Sequence, residues 1–154
     1  MKKPWLIGCG IAFLLGLAVI AAVVLFFTYV SQDPKGLLVQ LEGPDEVKQG
    51  ETFDLIVNVV NERANKPLKV TSIDIGEDYL KAFAVVSTEP RARSSQHVPV
   101  DDSRSYEFDV SVPPRSTNIF KFRLRARETG IFSGDLDVCE GTRFLTTVVE
   151  TEVK

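Results

Sequence analysis

The chain has one histidine, His97, and it lies in a polar stretch that contains the residue types of a hydrolase. Ser94 and Ser95 offer hydroxyl nucleophiles, and Asp101 and Asp102 offer carboxylates that orient an imidazole. Nucleophilic catalysis also needs a rigidly held base, an oxyanion hole and a pocket. All of these residues share one polar segment, and the sequence has no nucleophile-elbow motif. The sequence therefore predicts a chain that is not an enzyme.

Three arginines, Arg91, Arg93 and Arg104, surround this histidine in an aperiodic stretch over residues 87–105. Loops longer than about 12–15 residues are uncommon in compact domains and are usually functional or disordered. A guanidinium recognises a partner's carboxylates well because it presents a planar fork of donors. We therefore expect either a partner-binding loop that uses these arginines and His97, or a disordered segment.

Other site chemistries find little support in the sequence. One histidine with scattered acids makes no zinc pattern, no EF-hand loop is present, and no glycine-rich phosphate loop occurs. From Asp33 onward the chain has 16 basic and 21 acidic residues, a net charge of −5, which argues against a nucleic-acid partner. The sequence therefore predicts no metal, no cofactor and no small-molecule substrate.

A basic residue stands at every second position over residues 121–127. Such a row either binds an anionic ligand or a lipid head group, or it pairs with acids on a neighbouring strand. If residues 128–130 form a hairpin loop, Arg123 lies opposite Asp135 in the ladder. Opposite charges across a ladder contribute about 0.2–1 kcal/mol each, so we interpret the row as structural.

The elements that must position these residues are strands, because apolar and polar side chains alternate along them. The alternating runs cover residues 37–42, 53–60, 68–75, 84–88, 106–112, 120–127 and 145–153. The phase slips near Thr71 and Ser72, where we expect a bulge, and residues 78–83 suit one helical turn. Cys139 ends a further strand-like run and is expected to pack as a buried thiol. Seven to nine strands, each with one apolar face, predict an all-β, antiparallel, immunoglobulin-like β-sandwich over residues 37–154.

Residues 5–30 contain no formal charge. A helix needs about 20 such residues to cross a bilayer, and Trp5 and Tyr29 suit the two interfaces. Because two lysines precede the run, the positive-inside rule predicts a cytoplasmic N-terminus and an exported remainder. The run is too long for a cleaved signal peptide. We therefore expect a cytoplasmic stub and transmembrane helix over residues 1–30 and a short linker over residues 31–36.

Small residues at Gly8, Ala12 and Gly16 recur every four positions on one face of that helix. This spacing lets two membrane helices approach closely, although small residues are common in membrane helices in general. These three small residues therefore either form a packing face for another helix or reflect only the usual composition of membrane helices.

Residues 43–53 (GPDEVKQGETF) and 55–61 (LIVNVVN) resemble the opening of bacterial extracytoplasmic immunoglobulin-like domains of the CARDB and NEW3 type. Those domains often begin with a Gly-Glu-x-Phe turn and a strand that ends in Asn. Residues 112–134 are similar to their last hairpin. The resemblance covers residues 37–150 and implies a β-sandwich with a role in adhesion or assembly. It implies no catalytic residues.

These observations predict a membrane-anchored, extracytoplasmic interaction module, an accessory or scaffold subunit of a complex in the inner membrane. Its partners would be the lipid bilayer and other membrane or envelope proteins. The alternative is a ligand-binding or adhesive domain for glycans or cell-envelope polymers. That alternative predicts an exposed aromatic platform, for which the candidates are Tyr79, Phe83, Phe132 and Phe144, and we expect most of these four rings to be buried.

Overall fold

The computed structural model describes the backbone of residues 4–30 and 33–154, and the side chains of residues 14–29 and 33–154. The chain divides into two compact units after Gln32. The first unit is a helix, α1 (Pro4–Val30), whose described side chains are exposed. Among the residues with described side chains, no helix is both long and apolar enough to cross a membrane.

The predictions for the membrane segment fall mostly outside the described side chains. Trp5, Gly8 and Ala12 lie outside them. Tyr29 is exposed, and a Cβ built on Gly16 would meet no atom within 4 Å. The helix-packing face and the interfacial roles therefore stay predictions.

The second unit consists of strands and one short helix, α2 (Glu77–Leu80). Its described residues form ten strands, which are, in chain order, β1 (Leu37–Glu42), β2 (Glu46–Val47), β3 (Thr52–Asn61), β4 (Leu68–Gly76), β5 (Phe83–Glu89), β6 (Ser94–Val98), β7 (Ser103–Val112), β8 (Ser116–Ala126), β9 (Gly130–Glu140) and β10 (Arg143–Val153). The helix α2 overlaps the helical turn predicted over residues 78–83. The register of β4 shifts between Val70 and Ser72, which confirms the predicted bulge.

The strands form two sheets, ordered β1-β3-β8-β5 and β2-β10-β9-β4-β7-β6. This arrangement confirms the predicted β-sandwich. Two details of the prediction were wrong. The strand count exceeds nine because the two-residue β2 and the exposed β6 leave no alternating signal in the sequence. One pairing, between β2 and β10, is parallel, because the chain changes sheets after β1.

The core lies between the sheets because alternate side chains of each strand point inward. In β3, every second residue from Phe53 to Val59 is buried. From the other sheet, the Tyr106 ring meets Phe122 edge to face at a centroid distance of 5.3 Å. Such aromatic pairs add about 0.5–1.5 kcal/mol beyond the area that they bury. Tyr79 of α2 is fully buried, and its hydroxyl lies 3.0 Å from Thr151 Oγ1.

Asn61, the last residue of β3, joins two turns at one end of the sandwich. Its buried amide nitrogen donates to the carbonyls of Lys66 and Val112, each at 2.9 Å, and to Pro113 at 3.1 Å. Its side-chain oxygen accepts from the amide of Arg63. This network gives a structural reason for an Asn at the strand end.

The prediction of an aperiodic loop over residues 87–105 was wrong. The segment contains the end of β5, all of β6 and the start of β7. Both faces of β6 are largely exposed, so its residues need no apolar alternation, and backbone pairing with β7 holds the strand. The predicted loop is therefore a turn between two strands followed by a hairpin.

The predicted hairpin around residues 128–130 was also wrong. Strand β8 pairs with β3 and β5, whereas β9 pairs with β10 and β4, so this turn crosses between the sheets. Two members of the basic row still form ion pairs, but with acids on strands other than β9. Arg123 Nε lies 2.9 Å from Asp54 Oδ1, and Lys121 Nζ lies 3.3 Å from Glu89 Oε2.

Candidate interaction groove

The open edges of the two sheets meet on one side of the sandwich. Strand β5 is the last strand of the four-stranded sheet and β6 is the last of the six-stranded sheet. Residues 90–93 connect them directly, so the two edges lie side by side. At this crossing the Ala92 amide donates to Thr88 Oγ1 at 2.8 Å.

Two adjoining cavities lie along these edges, with volumes of about 380 and 470 Å³. Val85, Ser95 and Tyr106 line both of them, so the cavities form one continuous groove. We call it the edge groove. Burial of Tyr106 raises the pKa of its phenol to about 12, so the ring is neutral throughout the physiological range.

Charged side chains line the edge groove, and most of them are basic. Arg91 lines the end next to the crossing, and Arg104, Arg127 and Glu77 line the other end. Arg104 neutralises Glu77, since its Nη2 lies 3.0 Å from Glu77 Oε1. Among the described residues no acid forms an ion pair with Arg91 or Arg127. The groove therefore presents uncompensated positive charge on a domain whose net charge is negative.

The four residues predicted to bind a partner do not share one loop. Arg91 and Arg93 lie in the crossing, His97 in β6 and Arg104 in β7. Arg93 does not line the groove, and its Nη1 lies 2.7 Å from Asp109 Oδ2. A hydrogen bond from Lys69 and the charge of Arg93 lower the pKa of the Asp109 carboxyl.

His97 lies beside α2, and both of its ring nitrogens face carboxylates. Its Nδ1 lies 3.5 Å from Glu77 Oε1 and its Nε2 lies 3.8 Å from Asp102 Oδ1. Among the described residues, no serine or threonine hydroxyl forms a hydrogen bond with the His97 ring. The hydroxyl of Ser103 instead donates to Asp101 Oδ1 at 3.2 Å. The arrangement brings acids to the imidazole but no nucleophile, so it does not assemble a hydrolase triad.

A second polar cluster lies on the outer face of the six-stranded sheet. Asp74 and Asp137 are directly opposite in the β4–β9 ladder. Ser105 Oγ donates to Asp74 Oδ1 at 2.6 Å, and Cys139 Sγ donates to the other oxygen at 3.6 Å. Burial raises the pKa of the Cys139 thiol to about 12, which fits the predicted packing role. Among the described residues, no group of three His, Cys, Asp or Glu side chains is arranged to hold a metal ion.

The aromatic platform that an adhesive domain would need is not assembled on the surface. Tyr79 and Phe83 are buried and lie 4.5 Å apart between ring centroids. Phe132 is half-buried and meets Phe83 edge to face at 6.0 Å. Phe144 alone of the four is exposed, so these rings offer no continuous stacking surface.

The sequence reasoning missed the groove-lining residues Val85, Ser95 and Tyr106. Tyr106 falls in an alternating run, and Ser95 falls in the predicted loop over residues 87–105. No alternating pattern marks β6, so the sequence carried no signal that residues 90–93 connect the edges of two different sheets. A strand at each sheet's edge then leaves backbone groups and side chains facing open space.

No protein-family model matches this chain, and no curated protein resembles it in sequence. Solved structures do resemble it in fold. A cohesin module from a Clostridium perfringens family 33 glycoside hydrolase superposes with a TM-score of 0.51 at 16% identity, over 79% of this chain and 98% of the module. AvmM, described as catalysing macrocyclization in alchivemycin A biosynthesis, gives 0.50 at 13% identity over 79% of this chain and 94% of its own.

A third similar structure is the CARDB domain of a Pyrococcus furiosus protein, with a TM-score of 0.43 at 15% identity, over 76% of this chain and 91% of the domain. At these identities the likeness concerns fold alone. The cohesin match supports an immunoglobulin-like β-sandwich, in agreement with the fold that the resemblance to CARDB and NEW3 domains implied.

Proposed function

We propose that this chain is a non-enzymatic protein-interaction module, anchored in the inner membrane by its N-terminal helix, with the β-sandwich outside the cytoplasm. The observation that carries the proposal is the edge groove, which combines two free strand edges with guanidinium groups that form no ion pair with any acid among the described residues. Charged surfaces of this kind steer and select protein partners. The module would serve as an accessory or scaffold subunit of a membrane-associated complex.

Two features of the sequence support the anchor and its orientation. The run over residues 5–30 has no formal charge, and Lys2 and Lys3 precede it. Such a run is long enough for a bilayer, and lysines at its start favour a cytoplasmic N-terminus. The cohesin module supports the interaction role only through the shared fold, since fold does not determine function.

Site-specific photo-crosslinking tests the interaction role. A photoreactive amino acid replaces Ser95, which lines the edge groove, and in a control chain replaces Val148, an exposed residue of β10. We expect a discrete crosslinked product in native membranes from position 95 and none from position 148. Equal labelling from both positions, or none from either, contradicts the proposal.

Protease protection tests the anchor. Carbonate-washed membranes should retain the full chain, and a chain that lacks residues 1–30 should leave the membrane fraction. Protease added outside sealed spheroplasts should digest the β-sandwich. Recovery of the full chain in the detergent-free aqueous fraction contradicts the anchored assignment.

A further inference from the structure

Strand β6 is an edge without the protection that natural sheet edges usually carry. Protein edges are blunted by very short strands, by Lys or Pro, or by bulges. The opposite edge of the same sheet, β2, has only two residues. Strand β5 has a register shift between Val85 and Ser87. Strand β6 has neither Lys nor Pro and pairs regularly with β7 over five successive residues.

The backbone of β6 has capacity for another strand. Only β7 pairs with it, and within the described residues no other backbone hydrogen bond involves residues 94–98. Alternate N–H and C=O groups of a strand point away from its single neighbour. An extended peptide can bond to such groups irrespective of its own side chains, while pockets beside the edge select alternate side chains.

The residues that line the edge groove determine which side chains fit on a strand added beside β6. Val85 and Tyr106 line both cavities of the groove, and Ser95 of β6 lies directly opposite Tyr106 in the ladder with β7. The guanidinium groups of Arg91 and Arg127 line the two ends. A strand beside β6 would therefore place alternate side chains next to positive charge that the domain itself leaves uncompensated.

We propose that the edge groove binds an extended, acidic segment of a partner protein, which pairs with β6 as a further strand of the six-stranded sheet. The inference rests on the proposed interaction function and adds the chemistry of the partner. A second copy of this chain fits less well, because pairing β6 with β6 brings the same unpaired guanidinium groups of both copies to one interface. An acidic segment supplies the opposite charge.

The test measures binding of a fluorescein-labelled peptide with four Thr-Glu repeats to the full chain in mild detergent, by fluorescence anisotropy. Two further peptides carry N-methyl groups on the Thr residues or on the Glu residues. N-methylation removes the donors along one edge of an extended peptide and leaves its charge unchanged. This design avoids proline substitutions in β6, which can unfold the hairpin.

We expect the unmodified peptide to bind, one methylated peptide to bind with similar affinity, and the other to lose binding. Reversing charge at Arg91 and Arg127 (Arg91→Glu with Arg127→Glu) should weaken binding by about tenfold or more. Arg115→Glu, at an exposed arginine outside the groove, serves as the matched control and should bind as the unaltered chain does. A peptide of Thr-Lys repeats should not bind.

Equal binding of both methylated peptides overturns the strand-addition proposal, because pairing to β6 requires donors on one edge. Absence of Thr-Glu peptide binding overturns it as well. In either case crosslinking from position 95 still decides the proposed interaction function separately. A homodimer that the peptide dissociates, observed by sedimentation velocity, would overturn the choice of a foreign partner.

Discussion

Among the described residues, Asp137 carries the one buried side-chain oxygen without a hydrogen-bond partner, its Oδ1. The residue also lies directly opposite Asp74 in the sheet. Burial raises the pKa of Asp137, a hydrogen bond from Thr146 partly opposes this, and the charges of Asp74 and Asp135 raise the pKa further. The folded domain therefore destabilises the ionised form of this carboxyl group.

We predict that Asp137→Asn increases the free energy of unfolding by about 1 kcal/mol at pH 7. Like charges directly opposite in a ladder cost about 0.2–1 kcal/mol, and an unsatisfied buried polar group costs about 1–3 kcal/mol. The amide removes the charge repulsion and keeps a buried polar group, so the gain lies at the lower end of that combined range. For a domain of this size, 1 kcal/mol raises Tm by about 3–6 °C.

The sign of the pH dependence follows from linkage. The pKa of Asp137 is higher in the folded state than its ordinary value of 3.8 in the unfolded chain. The cost of the ionised carboxylate is therefore complete above the folded pKa and decreases as the pH falls through that value. Below pH 3.8 the carboxyl is protonated in both states. The advantage of Asp137→Asn over the unaltered chain should be present at pH 7 and absent at about pH 3.

Urea unfolding monitored by near-UV circular dichroism measures this difference, because the buried rings of Tyr79 and Tyr106 give a signal that depends on packing. Asp135→Asn is the matched control, since Asp135 is an exposed acid two positions away on the same strand. Its effect should stay within about 0.5 kcal/mol. A destabilised Asp137→Asn chain, or a gain that persists at pH 3, would refute the reasoning.

Three further predictions concern the same domain. Asn61→Ala should destabilise it by about 2–4 kcal/mol in urea unfolding, because three carbonyls lose a buried donor, while Asn65→Ala, at an exposed asparagine, should have little effect. Glu140→Gln should lower the free energy of unfolding by about 1–3 kcal/mol at pH 7, because the charged hydrogen bond from Arg63 is lost. That hydrogen bond lowers the pKa of Glu140 in the folded state, so the difference between the two chains should disappear as the pH falls below the ordinary pKa of 4.5 and the carboxylate becomes protonated. In a chain whose other cysteine is replaced by Ser, Cys139 should resist alkylation by iodoacetamide at pH 8 until denaturant is added, and rapid labelling of the folded chain would contradict its burial.

The sandwich could be predicted because most of its strands bury one face. Along β3 the apolar residues from Phe53 to Val59 face the core, and this requirement leaves an alternating pattern in the sequence. The bulge near Thr71 could also be predicted, since an extra residue in a strand shifts the phase of the apolar alternation. Burial on one face is the physical origin of both signals.

Strand β6 could not be predicted for the opposite reason. Its residues from Ser94 to Gln96 are exposed on both faces, so no selection for apolar alternation acts on them. Backbone pairing, which is independent of side-chain type, forms the strand. Strand β6 is the last strand of its sheet. This position leaves its side chains exposed, so the sequence shows no alternation, and it also leaves the outer edge of the strand without a neighbour among the described residues.

Turn chemistry predicted where the chain reverses but not which sheet it enters next. The turn at residues 128–130 connects strands of different sheets, so the expected pairing of Arg123 with Asp135 does not form. The acid that pairs with Arg123 is Asp54, which lies about 70 residues earlier in the sequence and directly opposite Arg123 in the β3–β8 ladder. Long-range partners of this kind depend on strand order, which local sequence does not specify.

The basic row nevertheless leads to the edge groove. Within the described residues, Arg125 and Arg127, the last two members of the row, form no ion pair with an acid, whereas Lys121 and Arg123 do. The ladder neighbours of Arg125 are Thr52 and Ala84, which are uncharged. Pairing within the four-stranded sheet thus neutralises Lys121 and Arg123 and leaves positive charge at the C-terminal end of β8. Because that end adjoins the groove, the charge pattern of a structural strand also sets the preference of the groove for an acidic partner.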